Sequence, residues 1–177
     1  HIFAMLPPAG GRPLLISDAA VNVAPDIDTR VEAALYIAEM SRRLGQPRPR
    51  IAVLSATESV LTAVPSSGEA AEIASRAATL DLQAEFAGPL SFDLAISPEA
   101  AAIKGAVGQV SGMADGLVVP DIVSGNILFK SLVWVGGGLA AGVVLGGAIP
   151  IVLTSRSDPS AARLASLALA VIYNQEI

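Results

Sequence analysis

The sequence predicts an α/β fold built on a mostly parallel sheet with flanking helices. Short apolar runs of strand length alternate along the chain with longer stretches of helical spacing, the pattern of strands joined by crossover helices. The run Ile149-Pro150-Ile151-Val152-Leu153 is apolar at every position, as a parallel strand buried on both faces is. With 177 residues, 53% of them hydrophobic, there is enough chain to bury a sizeable core in one domain, or in a domain with a lobe.

In chain order, the pattern first predicts a strand over Ile2 to Leu6, so the chain begins inside structure and reads as truncated. After Pro7-Pro8 and a glycine-rich turn, Leu14-Leu15-Ile16 is a second strand, ending in Ser17-Asp18 and a loop through Asn22 and Pro25. A helix follows, with Asp28 as its cap, Val31, Ala34, Leu35 and Ala38 at helical spacing, and Gly45 with Pro47 as its stop. Arg50 to Ser55 is a third strand, and Glu69 to Leu82 a second, alanine-rich helix. From Ala84 the pattern loosens into a loop through Gly88-Pro89-Leu90-Ser91-Phe92-Asp93, then a short helix runs from Pro98 to Lys104. A strand returns over Gly116 to Pro120, the segment after Asp121 reads as an apolar helix, and Pro159 to Tyr173 is the last helix.

Composition excludes several functions. A net charge of -5 with 11 basic residues and no basic run leaves little to neutralise a polyphosphate backbone, so nucleic acid is not an expected partner. Without cysteine there is neither a disulfide framework nor a catalytic thiolate, and the single histidine, His1, argues against a His-based triad or a zinc site. Ser131 to Thr154 carries no charge and is long enough to cross a bilayer. Gly136-Gly137-Gly138, Gly142, Gly146-Gly147 and Pro150 divide it, however, into an apolar helix and the strand at Ile149, so no membrane span is expected. His1-Ile2-Phe3 lacks the basic start of a signal peptide, and the expected location is cytoplasmic.

In open α/β sheets ligands bind beyond the carboxyl ends of the strands. That rule selects the loops at Ser17-Asp18 to Asn22, Ser55 to Glu58, Pro120-Asp121 to Asn126, and Thr154 to Asp158. In the last, Pro159 suits a first helical turn and Asp158 the cap before it, which would bring Ser155 and Arg156 to a helix start where amides and a guanidinium favour a phosphate. The alternative is a cap beside an ordinary surface arginine. Gly125-Asn126 with Lys130 could mark another helix start or only a turn and a cap. Asp93 and Lys104 are equally open, as a capping carboxylate and a lysine complementing a helix dipole.

Taken together, Ser17-Asp18-Ala19-Ala20-Val21-Asn22, Gly88-Pro89-Leu90-Ser91-Phe92-Asp93, Lys104-Gly105, Gly112-Met113-Ala114-Asp115, Pro120 to Lys130 and Leu153 to Asp158 resemble the phosphate acetyltransferase and phosphate butyryltransferase family. Their order and spacing span nearly the whole chain, and the phrase from Ser155 to Ala170 looks closer to the butyryl branch. The resemblance implies an enzyme exchanging an acyl group between coenzyme A and inorganic phosphate, with coenzyme A as substrate, no bound cofactor and no metal. It implies the two-lobe architecture of the isocitrate and isopropylmalate dehydrogenase superfamily and a homodimer. Residues 1–177 would be the later portion of the domain: the middle of the chain forms one lobe, its first strands and last helix belong to the other, and a preceding segment completes the cleft. Ser155 and Arg156 match the family's phosphate-holding pair. Where the acetyl branch has a proposed base, this chain has Ala161 and Ala162, leaving Asp158 as base or cap. Asp18, Asn22, Asp93, Lys104, Asn126 and Lys130 fall in motifs that imply substrate binding. Ala19 stands where the acetyl branch often has cysteine, so transfer would be direct. Rival readings are an acyl-carrier-protein to phosphate acyltransferase, and a non-catalytic lobe that binds coenzyme A or dimerises. A nicotinamide-dependent hydroxy-acid dehydrogenase is disfavoured because no aspartate cluster and no G-x-G-x-x-G turn is present.

Overall fold

The computed structural model describes residues 1–175. Its strands are β1 (Ile2–Leu6), β2 (Leu14–Ser17), β3 (Arg50–Leu54), β4 (Glu85–Leu90), β5 (Gly116–Val118), β6 (Leu139–Val144) and β7 (Ile151–Val152). Its helices are α1 (Ile27–Arg43), α2 (Pro65–Leu80), α3 (Phe92–Ile96), α4 (Pro98–Lys104), α5 (Ile122–Trp134) and α6 (Ser160–Asn174). One sheet holds the strands in the order β4-β3-β5-β2-β1-β6-β7.

The sheet is mixed, which corrects the expectation of a mostly parallel one. β4, β3, β5 and β2 pair in parallel, whereas β1 pairs antiparallel with β2 and β6, and β6 antiparallel with β7. The parallel half comes from chain that returns through helices; the antiparallel half comes from turns and from β6 inserting beside β1.

Alternation along the central strands explains the two helical layers. Leu15, Ile51, Val53 and Val118 face one cluster with Val31, Ala34 and Ile37 of α1, Ala70 and Ile73 of α2 and Leu169 of α6. Ile16, Ala52, Leu54 and Leu117 face the other, with Leu94 of α3, Ala101 of α4 and Phe129 of α5. Period-two side-chain direction thus makes both faces apolar, and each needs a helical cover.

Several boundaries move. Asp26, not Asp28, caps α1, accepting the Thr29 amide at 2.8 Å, and Pro65 starts α2 four residues before Glu69. Glu85–Leu90 is a strand rather than loop, since Pro89 is tolerated on the sheet's outer strand where no ladder donor is required. α3 follows it directly. β6 takes residues read as the end of an apolar helix, because pairing with β1 overrides the weak strand preference of Ala140, Ala141 and Gly142. The expected buried strand at Ile149 to Leu153 shrinks to β7, an antiparallel edge strand whose Ile151 is 58% exposed. Among the described residues no helix is long and apolar enough to cross a membrane.

Gly88 lets β4 lie against β3 and α2: a Cβ there would sit 2.8 Å from the Ala70 carbonyl oxygen and 2.9 Å from Val53 Cβ. Both are fixed, buried groups, so Gly88→Ala is expected to destabilise the chain by about 1–3 kcal/mol in denaturant unfolding. An unchanged midpoint would show that β4 is not held as described.

Candidate functional site

The turn after β2 is organised by one carboxylate. Asp18, 5% exposed, accepts hydrogen bonds from the amides of Ala20, Val21 and Asn22 at 2.8–3.0 Å and from Asn22 Nδ2 at 2.7 Å. Asp18 and Asn22 therefore satisfy each other, with the His1 imidazole 3.5 Å from the carboxylate. α5 docks on this turn. Its cap is Asp121, which accepts the Val123 and Ser124 amides, so Gly125 and Asn126 lie inside the helix and do not begin it. Those amide bonds, the Ser124 one foremost, hold the Asp121 carboxyl below its ordinary pKa. A Cβ on Gly125 would overlap the Asp18 carbonyl oxygen, and Asn126 Nδ2 donates to the Ala19 carbonyl at 3.1 Å. Lys130, one turn on, is exposed beside the Phe129 ring.

β3 and β5 are neighbours whose connections leave for opposite faces, β3 to α2 and β5 to α5. This is a topological switch point, where open sheets leave a crevice. A cavity of about 490 Å³ lies there, walled by Leu54 and Val119 at the strand ends, Phe92 of α3, and Ile127 and Leu128 of α5. Ser55, Ser66, Ser124 and Ser131 bring hydroxyls to it, and the Ser55 and Ser66 oxygens stand 3.0 Å apart. Between α1 and α2, Arg30 is 2% exposed and donates from Nη1 to Glu69 Oε2 at 2.8 Å. Its Nε and Nη2 have no hydrogen-bond partner among the described residues. Burial lowers its pKa, while the Glu69 carboxylate and, less strongly, Asp121 of the α5 cap raise it.

Asp93 and Lys104 meet outside this cavity. Lys104 Nζ is 3.0 Å from Asp93 Oδ2 and 3.6 Å from Glu58 Oε1, and the Ser91 hydroxyl reaches Asp93 Oδ1 at 2.6 Å. The Ser91 bond first and the Lys104 ammonium second hold the Asp93 carboxyl down to about 2. A second cavity of about 420 Å³ is lined by Glu58, Gly88, Lys104 and Ser111.

The turn after β7 is separate from all of these. β7 runs opposite to the four parallel strands, so Thr154 to Asp158 does not share their carboxyl-end crevice as the loop rule predicts. Asp158 is not the helix cap: Pro159 holds that position, and Asp158 Oδ2 accepts the Ser155 amide at 2.6 Å. The Ser155 and Ser157 hydroxyls lie 3.0 Å apart, and Arg156 is exposed, with no hydrogen bond or ion pair to the described residues. The sequence reading did not single out Arg30, Ser66 or Ser131. Arg30 left a signal, a charge four residues before Ala34 on the apolar face of α1; the serines left none.

Residues 1–171 match the family model described as phosphate acetyl/butaryl transferase. The chain is 42% identical over 174 residues to the phosphate acetyltransferase of Rhizobium meliloti, covering 98% of this chain and 55% of that protein. It is 34% identical over 177 residues to a probable phosphate butyryltransferase of Bacillus subtilis, covering 99% of this chain and 59% of that one. It superposes with a TM-score of 0.89 and 40% identity on a branched-chain phosphotransacylase from Enterococcus faecalis, over 97% of this chain and 62% of that structure. The chain thus spans little more than half the length of the curated relatives it matches.

The order of causes at Asp93 can be measured. Ser91→Ala is expected to raise the Asp93 pKa further than Lys104→Met does, both toward the ordinary carboxylate value, followed by carboxyl NMR titration. The reverse order would place the ammonium, not the hydroxyl, in control.

Proposed function

The chain belongs to the phosphate acetyl/butyryl transferase family, and from that premise we propose that it serves in exchanging an acyl group between coenzyme A and inorganic phosphate. The observation that carries this reading is the turn after β7. It presents Arg156 to solvent with no partner among the described residues, on a backbone held in shape by Asp158. A guanidinium so placed grips two phosphate oxygens at once, which a lysine does not. Ser155 adds a hydroxyl at the same turn.

In the proposed reaction the thiolate of coenzyme A attacks the acyl carbon of an acyl phosphate. The carbon–sulfur bond forms, the bond from carbon to the phosphate oxygen breaks, and phosphate leaves with the electron pair. Arg156 and Ser155 would stabilise the charge that builds on the departing phosphate, and the rate would come from holding both reactants together. Asp158 acts through the turn it shapes. These 177 residues offer no thiol to carry the acyl group, which favours direct transfer over an acyl-cysteine intermediate. Coenzyme A, acyl phosphate and phosphate are the substrates; no bound cofactor or metal enters these steps.

The finer architecture is part of the same proposal: two lobes of the isocitrate and isopropylmalate dehydrogenase type, a cytoplasmic homodimer, and a preceding segment that completes the cleft. Two exposed apolar faces support further packing of this kind, Leu164, Leu167 and Val171 on α6, and Val123, Ile127 and Trp134 on α5. Asn22, Asn126 and Lys130 would bind substrate from the β2 and α5 side, Asp93 and Lys104 from the sheet's β4 edge.

Because Arg156 is exposed, Arg156→Ala should leave the melting temperature unchanged while lowering kcat/KM for phosphate roughly 100-fold or more. An unaltered kcat/KM for phosphate removes the β7 turn from the mechanism.

A further inference from the structure

Charge is scarce in the last part of the chain and gathered at one place. From Ser131 to Gln175 only three side chains are charged, Arg156, Asp158 and Arg163, and they lie in the turn after β7 and at the start of α6. Asp158 ties the group together. Its carboxylate accepts the Ser155 amide at 2.6 Å, and its carbonyl oxygen accepts Arg163 Nη2 at 3.2 Å. The Arg163 guanidinium is thus seated on the backbone of the turn that carries Arg156.

The carboxylate in this group is committed to an amide and pairs with neither arginine among the described residues. A guanidinium offers several N–H donors. For Arg163, an exposed side chain, the bond to Asp158 is the one met among the described residues. Two guanidiniums and one carboxylate leave the turn with surplus positive charge in a chain whose net charge is -5. Like charges on one short turn repel, and a bound dianion reverses that repulsion.

We propose that Arg163 is the second cation of the phosphate site, an assignment that rests on the acyl-exchange reading and its phosphate grip at Arg156. Phosphoryl groups carry about −1.5 to −2 charges at pH 7, so Arg156 alone leaves the ligand half neutralised. Arg163 supplies the balance, and the Asp158 carbonyl restrains a long side chain that would otherwise lose more rotamer freedom on binding. Coulomb energy scales with the charge of the ligand, so a pair of guanidiniums favours dianions over monoanions. The turn is thereby matched to phosphate rather than to a carboxylate.

Anion titrations of the isotope-labelled 177-residue chain, read at the side-chain Nε–H resonances of Arg156 and Arg163, test the assignment. Phosphate should move both resonances in the native chain. Read at Arg156, Arg163→Gln should weaken the binding of phosphate and of sulfate, a permanent dianion, by about tenfold or more, and that of nitrate, a monoanion, by only about threefold. Arg163→Lys keeps the charge and should recover most of the loss. Unchanged phosphate affinity in Arg163→Gln overturns the proposal, as does an Arg163→Lys chain as weak as Arg163→Gln. Equal losses for sulfate and nitrate overturn it too, since they mark Arg163 as a brace for the turn and not as a partner of the ligand. If phosphate still moves Arg163 with native affinity in Arg156→Ala, Arg163 stands and the reading built on Arg156 falls. If only Arg156 responds in the native chain, that reading stands and this assignment falls; if neither responds, both fall.

Discussion

A buried carboxylate at the end of β2 sets where α5 can lie. Asp18 turns the chain through three amides and Asn22, and the carbonyl groups of Asp18 and Ala19 then become the surface on which α5 sits. Only a residue without a Cβ fits at position 125, because the helix crosses directly over the Asp18 carbonyl. Phe129, one turn on, stacks against Phe3 of β1 with ring centroids 3.9 Å apart and locks the helix to the antiparallel half of the sheet. That docking turns Ser124, Ile127 and Ser131 toward the strand ends of β3 and β5, and so creates the wall of the switch-point cavity.

The mixed sheet gives the chain two halves of unlike character. Its parallel half gathers helix starts, with Asp121 capping α5 and α2 left uncapped, around an apolar cavity. Its antiparallel half ends in a short edge strand and a polar turn whose Arg156 has no partner among the described residues. At the opposite end of β3 and β5, Arg50 and Asp115 form a bidentate pair that ties the two strand starts together. The two strands between which the cavity opens are thus fixed at their far ends, which keeps its mouth from spreading.

Much of the fold was legible because the strongest signals are local. β1, β2, β3 and β5 announced themselves as short apolar runs, and α4 was bounded correctly by Pro98 and by Gly105, which takes the left-handed conformation at φ 65. What failed was decided by partners distant in sequence. β4 hid behind Gly88-Pro89, which read as a turn until its outer position in the sheet made the proline harmless. β6 hid in an uncharged run that suits helix and strand alike, and only its pairing with β1 settles it. β7 was misread because apolar composition says nothing about direction or exposure. Among the motif residues, Asp18, Asn22 and Asn126 meet at one junction, their side chains engaged with one another and with backbone. Arg30 was visible only as a charge on an apolar helical stripe, and the serines of the cavity become neighbours solely through the crossing of β3 and β5.

The central claim is the proposal that phosphate is held at the turn after β7, by Ser155 and Arg156. Backbone amide shift mapping on the isotope-labelled chain tests it directly. Inorganic phosphate should move the resonances of Ser155 to Asp158 and leave Ser66, Ile127 and Ser131 still. A phosphate response confined to Ser66, Ile127 and Ser131, with the turn after β7 unaffected, would contradict the account.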